Sequence, residues 1–254
     1  MKQVLTTVLA VALLLGLGAL AVLAMPSANA PLAAAPVVSA AAPEFELDSP
    51  SAFTGPRYNH IALPLDTGTS ISPFNAQGLL DYIGDSATQV ANLNAASQGL
   101  DFWDEAYGFG LVNGVAIDDP VDYPLAVGHP YLILINSTHP ADTPFSIVGD
   151  VPNEGDIVFT LAGHDPCYFN EIMVPLDQYD QSLDNGLNLA NAIGNVDMIA
   201  ALYAPTQGLD FWDFRNNFGL VAGVTIETPT LFPVKIGYPY LVCINALGDG
   251  DVWP

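Results

Sequence analysis

The chain is expected to be mainly β, of the α+β kind: two tandem homologous antiparallel β-rich domains, each carrying one short helix after its first strand. Three observations predict this. First, Gln98-Gly99-Leu100-Asp101-Phe102-Trp103-Asp104 returns unchanged as Gln207-Gly208-Leu209-Asp210-Phe211-Trp212-Asp213, 109 residues later. Second, the same shift pairs Phe109-Gly110-Leu111-Val112 with Phe218-Gly219-Leu220-Val221, and Gly128-His129-Pro130-Tyr131-Leu132 with Gly237-Tyr238-Pro239-Tyr240-Leu241. About half the positions from Ala91 to Asn136 equal their partners, which marks a duplicated unit and not a coincident motif. Third, the apolar runs are short and divided by turn residues, as antiparallel strands require. Upstream the shift drifts to 111, where Pro64-Leu65-Asp66 meets Pro175-Leu176-Asp177; single-residue loop changes produce such drift.

Each copy opens with a strand, Tyr58 to Leu65 and Tyr168 to Leu176, whose terminal proline cannot donate to a ladder and so marks the strand end. A short helix follows. In the first copy Ser72 is the expected N-cap and Pro73 the first helical residue, with Leu79, Leu80 and Ile83 on the apolar face and Gly84 as the stop. In the second, Asp184 or Asn185 caps, Leu189, Ala190 and Ile193 face inward, and Gly194 closes. The strands expected next in the first copy are Gln89 to Asn94, Leu100 to Asp104, Phe109 to Ile117 and Tyr131 to Asn136, with hairpin turns at Gln98-Gly99 and Gln207-Gly208. An extra run, Phe145 to Gly149, closes the first copy. The second copy has no evident equivalent, so either Ile157 to Leu161 fills that slot or the slot is open.

Before the repeats, Lys2 and the apolar run Val4 to Ala24 followed by small residues have the make-up of a secretory signal peptide over residues 1–30, or of an N-terminal anchor if uncleaved. Residues 31–44 are an Ala/Pro-rich linker, and the two domains are expected over 45–152 and 153–254. The destination is secreted or cell-surface, with a membrane involved only if the leader stays on. Twenty-seven acidic residues stand against four basic ones, a net charge of −23. Binding a polyanion needs clustered Lys and Arg to displace counterions, so nucleic acid is not a partner.

The only chemistry repeated in both copies is Asp101 with Asp104 and Asp210 with Asp213, beside Phe102-Trp103 and Phe211-Trp212. Trp103, Asp104, Trp212 and Asp213 are therefore the candidate ligand-binding residues, an aromatic platform with polar edges for a glycan. The competing reading is structural. Period-2 alternation sends neighbouring rings to opposite faces, so one ring per copy belongs to the core while the aspartates serve turns. No cofactor is required; calcium is the main candidate, through Asp177, Asp180 and Asp184 or separately Asp249 and Asp251, neither set having EF-hand spacing, and His164, Asp165 and Cys167 form a further metal cluster that can be written down. His60, His129, His139 and His164 do not recur between copies, and no G-x-S-x-G, H-E-x-x-H or S-x-x-K motif is present, so the chain is expected not to be an enzyme. Asn136-Ser137-Thr138 has the form of a glycosylation acceptor. Cys167 and Cys243 both fall in the second copy, either as a disulfide between neighbouring strands, which an exported location permits, or as two buried thiols.

The opening Tyr58-Asn59-His60-Ile61-Ala62-Leu63-Pro64-Leu65, the helix ending at Gly84, the Trp-containing strand and Gly128-His129-Pro130-Tyr131-Leu132 resemble an "N-L-I-S-L-P-L"-type module of exported bacterial and archaeal surface proteins, of the kind found in Chloroflexota. The resemblance covers Tyr58 to Pro152 and Tyr168 to Ala246. It implies a non-catalytic, mixed β module with no catalytic residues to carry over. The expected function is adhesion or extracellular assembly, as in a filament or sheath subunit, with self-association, other surface proteins or glycans as partners. An open edge in the second copy would accept a strand from another chain, with Glu44 to Leu47 as the donor.

Overall fold

Side-chain alternation, with apolar residues buried on one face, lays down two six-stranded antiparallel sheets of the same strand order, one from each half of the repeat. The computed structural model describes residues 44–47, 56–68, 70–84, 86–136, 143–153, 155–178 and 182–254. The leader, most of the linker, Asp180, His139 and most of the glycosylation triplet lie outside the described residues. In chain order, β1 (Glu44–Leu47) precedes the first sheet, which comprises β2 (Arg57–Ala62), β3 (Ala87–Asn94), β4 (Gly99–Asp104), β5 (Phe109–Val112), β6 (Val115–Ile117) and β7 (Pro130–Ile135), with helix α1 (Ala76–Ile83) between β2 and β3. Then come β8 (Thr143–Ser146) and β9 (Phe159–Thr160). The second sheet comprises β10 (Tyr168–Met173), β11 (Val196–Tyr203), β12 (Gly208–Asp213), β13 (Phe218–Val221), β14 (Val224–Ile226) and β15 (Pro239–Ile244), with α2 (Gly186–Ile193) after β10 and β16 (Val252–Trp253) last. The sheet orders are β2-β7-β3-β4-β5-β6 and β10-β15-β11-β12-β13-β14.

Each helix is too short to stand alone in water and is held by its apolar face. Leu79 and Leu80 of α1, at 0% and 2% exposure, pack with Ile61, Val90, Trp103 and Ile133. Each such leucine contributes about 1.5–3 kcal/mol by burial. Asn75, not Ser72, caps α1: its side chain accepts the Gly78 amide at 3.1 Å, and the helix starts after Pro73. In α2 the Asn185 side chain accepts the Asn188 amide, and Gly194 ends the helix as Gly84 ends α1. The run Phe109 to Ile117 is not one strand but a hairpin, turned by Asn113 and Gly114 at φ 52° and 76°.

The face of each sheet away from its helix meets the other sheet, so the layers run helix, sheet, sheet, helix. Contacts join β2 and β7 to β15, β2 to β11, and β10 to β3 and β7. All described residues fall in one compact unit. Phe102 and Trp103 do point to opposite faces, yet both are buried, at 3% and 4%, because both faces of the first sheet are covered there.

Of the two alternatives for the second copy's closing slot, the run Ile157 to Leu161 does supply a closing strand, and the slot is not open. Val252–Trp253 at the C-terminus pairs with Phe159–Thr160, and Trp253 stacks on Phe159 with centroids 6.0 Å apart. The supposed donor, Glu44–Leu47, pairs antiparallel with Thr143–Ser146 of its own chain. Both ribbons are made from the chain's own strands, so Glu44–Leu47 and the second copy's closing slot are each already paired here.

Candidate functional site

The recurrent seven-residue motif sits at equivalent places in both sheets, and its first residue does the least expected work. Gln98 and Gln207 each occupy the left-handed turn region, at φ 54° and 55°. That backbone projects the carboxamide onto the outer strand of the opposite sheet. The Gln98 side chain donates to the Phe169 carbonyl and accepts the Phe169 amide, both at 2.9 Å. Gln207 does the same to Tyr58, donating at 2.9 Å and accepting at 2.7 Å. Tyr58 and Phe169 are themselves equivalent at the shift of 111. β2 and β10 are edge strands. A carboxamide presents one donor and one acceptor, as a strand residue does, so each copy caps the other's open edge.

His60 and Glu171, also at equivalent positions, meet across the same seam. His60 Nε2 stands 2.6 Å from Glu171 Oε1, with both side chains 4% exposed, and Glu171 Oε2 accepts the Leu93 amide at 2.7 Å. Two equal residues would meet here in a perfectly symmetric pair; the chain instead places a base against an acid.

The rest of the motif holds local structure. Asp101 accepts the Asn113 amide at 2.8 Å and Asp210 accepts that of Ala222 at 2.7 Å, each bracing a β-turn. Asp104 accepts the Tyr107 amide, and Asp213 accepts those of Arg215 and Asn216. Burial pushes the carboxyls of Asp104 and Asp210 up, against the opposing pull of these turn amides. Trp103 and Trp212, at 4% and 1% exposure, fill the space between sheet and helix. Each lies opposite a glycine of the next strand, Gly110 or Gly219. A Cβ at Gly110 or Gly219 would come within 2.4 or 2.5 Å of the Phe102 or Phe211 carbonyl oxygen, which accounts for the glycine in both copies.

The platform expectation is therefore corrected. Trp103 and Trp212 are core residues with no exposed ring face to offer a glycan, Asp104 gives its oxygens to the Tyr107 amide and the Gln89 carboxamide, and Asp213 spends its own on a turn. The calcium candidates behave similarly: Asp177 accepts the Gly155 amide at 3.2 Å, and Asp184 accepts the Asn185 and Asn188 side chains. Among the described residues no three His, Cys, Asp or Glu side chains are grouped to hold a metal.

Cys167 and Cys243 are joined by a disulfide, with Cα atoms 5.4 Å apart. It ties the residue just before β10 to β15. Four residues of the inter-copy seam, Gln98, Gln207, His60 and Glu171, escape a reading of single strands. Exact recurrence of Gln at a hairpin turn is the available signal, although each carboxamide also donates within its own turn, to the Ala95 or Ala204 carbonyl. No family model, no curated protein and no solved structure matches this chain.

Proposed function

We propose that this chain is an exported, non-catalytic surface module in which two homologous copies of one β-rich unit, 45–152 and 153–254, are fused into a single body that acts in adhesion or extracellular assembly. The observation that carries this reading is where the recurrent motif spends its residues. Gln clasps the other sheet, Asp braces turns and Trp fills the core, so what the copies share is a folding recipe and one contact that joins them. The disulfide supports an oxidising destination, and the net charge of −23 supports a hydrated outer surface. The likeness to the "N-L-I-S-L-P-L"-type module points the same way.

Cell fractionation of the native host with mass spectrometry tests the reading. The mature chain is expected at the surface or in the medium, with Cys167 and Cys243 bonded, and a strain lacking it should lose attachment or cell–cell aggregation. Full-length chain in the cytosol with free thiols, or unchanged attachment without it, contradicts the proposal.

A further inference from the structure

The two copies differ in what fills the space where their third and last strands part. In both copies that parting falls at the same place, after Ala200 with Leu241 between β11 and β15 and after Ala91 with Leu132 between β3 and β7. Beyond that point in the second copy lies a cleft of about 160 Å³, bounded by Ala201, Leu202, Phe232 and Tyr240, with His60 reaching it from the opposite sheet. In the first copy the matching positions are Asn92, Leu93, Tyr123 and Tyr131, and the Tyr123 hydroxyl donates to the Asn92 carboxamide there. Glu171 completes that arrangement by accepting the Leu93 amide. The second copy removes each piece: Ala201 replaces Asn92, Phe232 replaces Tyr123, and His60 replaces Glu171. His60 Nδ1 has no hydrogen-bond partner among the described residues, although the side chain is 4% exposed.

Two charged residues line the same cleft. Lys235 stands where the first copy has Ala126, and its ammonium lies 4.9 Å from the centroid of the Tyr238 ring. Among the described residues no carboxylate forms an ion pair with Lys235. Asp210 gives one oxygen to the Ala222 amide, leaving the other for a further donor. An acid and a base that face one small space without pairing suit a ligand carrying both charges, because each is then matched and no net charge is buried. The walls between them are mainly apolar. A cavity of about 150 Å³ accommodates a molecule of benzene's size, so the ligand's body is correspondingly small.

We infer that this cleft is a binding site for a zwitterionic α-amino acid with a compact apolar side chain. Its ammonium goes to Asp210 and its carboxylate to Lys235, and its side chain lies against Phe232 and Tyr240. His60 Nδ1 supplies a further polar contact. Among the described residues the first copy's matching space is taken up by the Tyr123 and Asn92 side chains, so one ligand is expected per chain. The site is independent of the surface function proposed above, and either can fail without the other.

Isothermal titration calorimetry of the full exported chain with L-leucine as probe tests this, with 4-methylpentanoate and 3-methylbutylamine as analogues lacking one charge each. Saturable binding at one site is expected, with each analogue and each of Lys235→Met and Asp210→Asn weaker by about tenfold or more, the scale of a lost charge-assisted hydrogen bond. The double substitution Ala201→Asn with Phe232→Tyr rebuilds the first copy's filling and should abolish binding while circular dichroism and the melting temperature stay those of the parent. Absence of saturable heat with L-leucine, equal affinity for either analogue, or undiminished binding in the filled variant would each overturn the assignment. Should the filled variant fail to fold, the Lys235→Met and Asp210→Asn titrations decide alone.

Discussion

The two halves hold each other's edges in the same way yet close their own ends differently. The first ribbon pairs four residues with four, Glu44–Leu47 with Thr143–Ser146, and needs no covalent help; the second pairs only Phe159–Thr160 with Val252–Trp253. It is the half with the shorter ribbon that carries the disulfide, between positions where the first half has Pro56 and Leu134. The contrast teaches that duplication preserved the seam between the copies more strictly than the ends of either. A ribbon of two residues contributes few ladder bonds, and a crosslink that restricts the unfolded chain stabilises that half by another route.

Breaking the crosslink has the largest expected effect. The bonded cysteines are 76 residues apart, and closing a loop of that length is worth about 4 kcal/mol. Reduction, or Cys167→Ser with Cys243→Ser, should lower urea stability by that order. Loss confined to the second half would appear as a separate early transition, followed by hydrogen exchange in β10 and β15.

The seam can be tested through its one asymmetric pair. His60→Glu sets two carboxylates together at a buried place and should destabilise the chain by about 3 kcal/mol. Because the two positions are equivalent, the exchange His60→Glu with Glu171→His should recover more than half of that loss in denaturant titration. No recovery would mean that the surroundings of the two positions are not interchangeable.

Alkaline pH offers a smaller effect at the same seam. Burial, with a further push from Asp104, raises the Tyr58 phenol from 10.0 to about 12. A group whose folded value is raised gives stability that is fully present below its unfolded value and is lost as pH rises through the folded one. The window is therefore pH 10.0 to about 12, and a shift of this size amounts to about 2.7 kcal/mol. Tyr58→Phe should remove that part of the alkaline loss, read by circular dichroism against pH.

Much of the fold was legible in the residues. Repetition announced two like halves, and apolar spacing with a terminal glycine located both helices. Asn75 does not stand out as the cap of α1, because Ser72-Pro73 mimics a helix start three residues early. The Asn113-Gly114 turn carried its usual hairpin signal within a run that otherwise reads as continuous strand. The C-terminal strand was obscured for a different reason: Val252–Trp253 is too short to alternate, and only its pairing with Phe159–Thr160 defines it. Packing of sheet on sheet was not legible, since it depends on which faces of two distant segments meet. That is also why Trp103 and Trp212 could be read as a platform, and why the role of Gln98 and Gln207 went unseen. A polar side chain bonded 71 or 149 residues away leaves no local pattern.

The most direct test of the central claim, that the recurrent motif survives because it knits the copies together, is the urea stability of Gln98→Ala and Gln207→Ala measured side by side. Each substitution frees an edge strand's amide and carbonyl, so each should cost about 1–2 kcal/mol, and the two costs should agree. A loss in one with none in the other, or no loss in either, would contradict it.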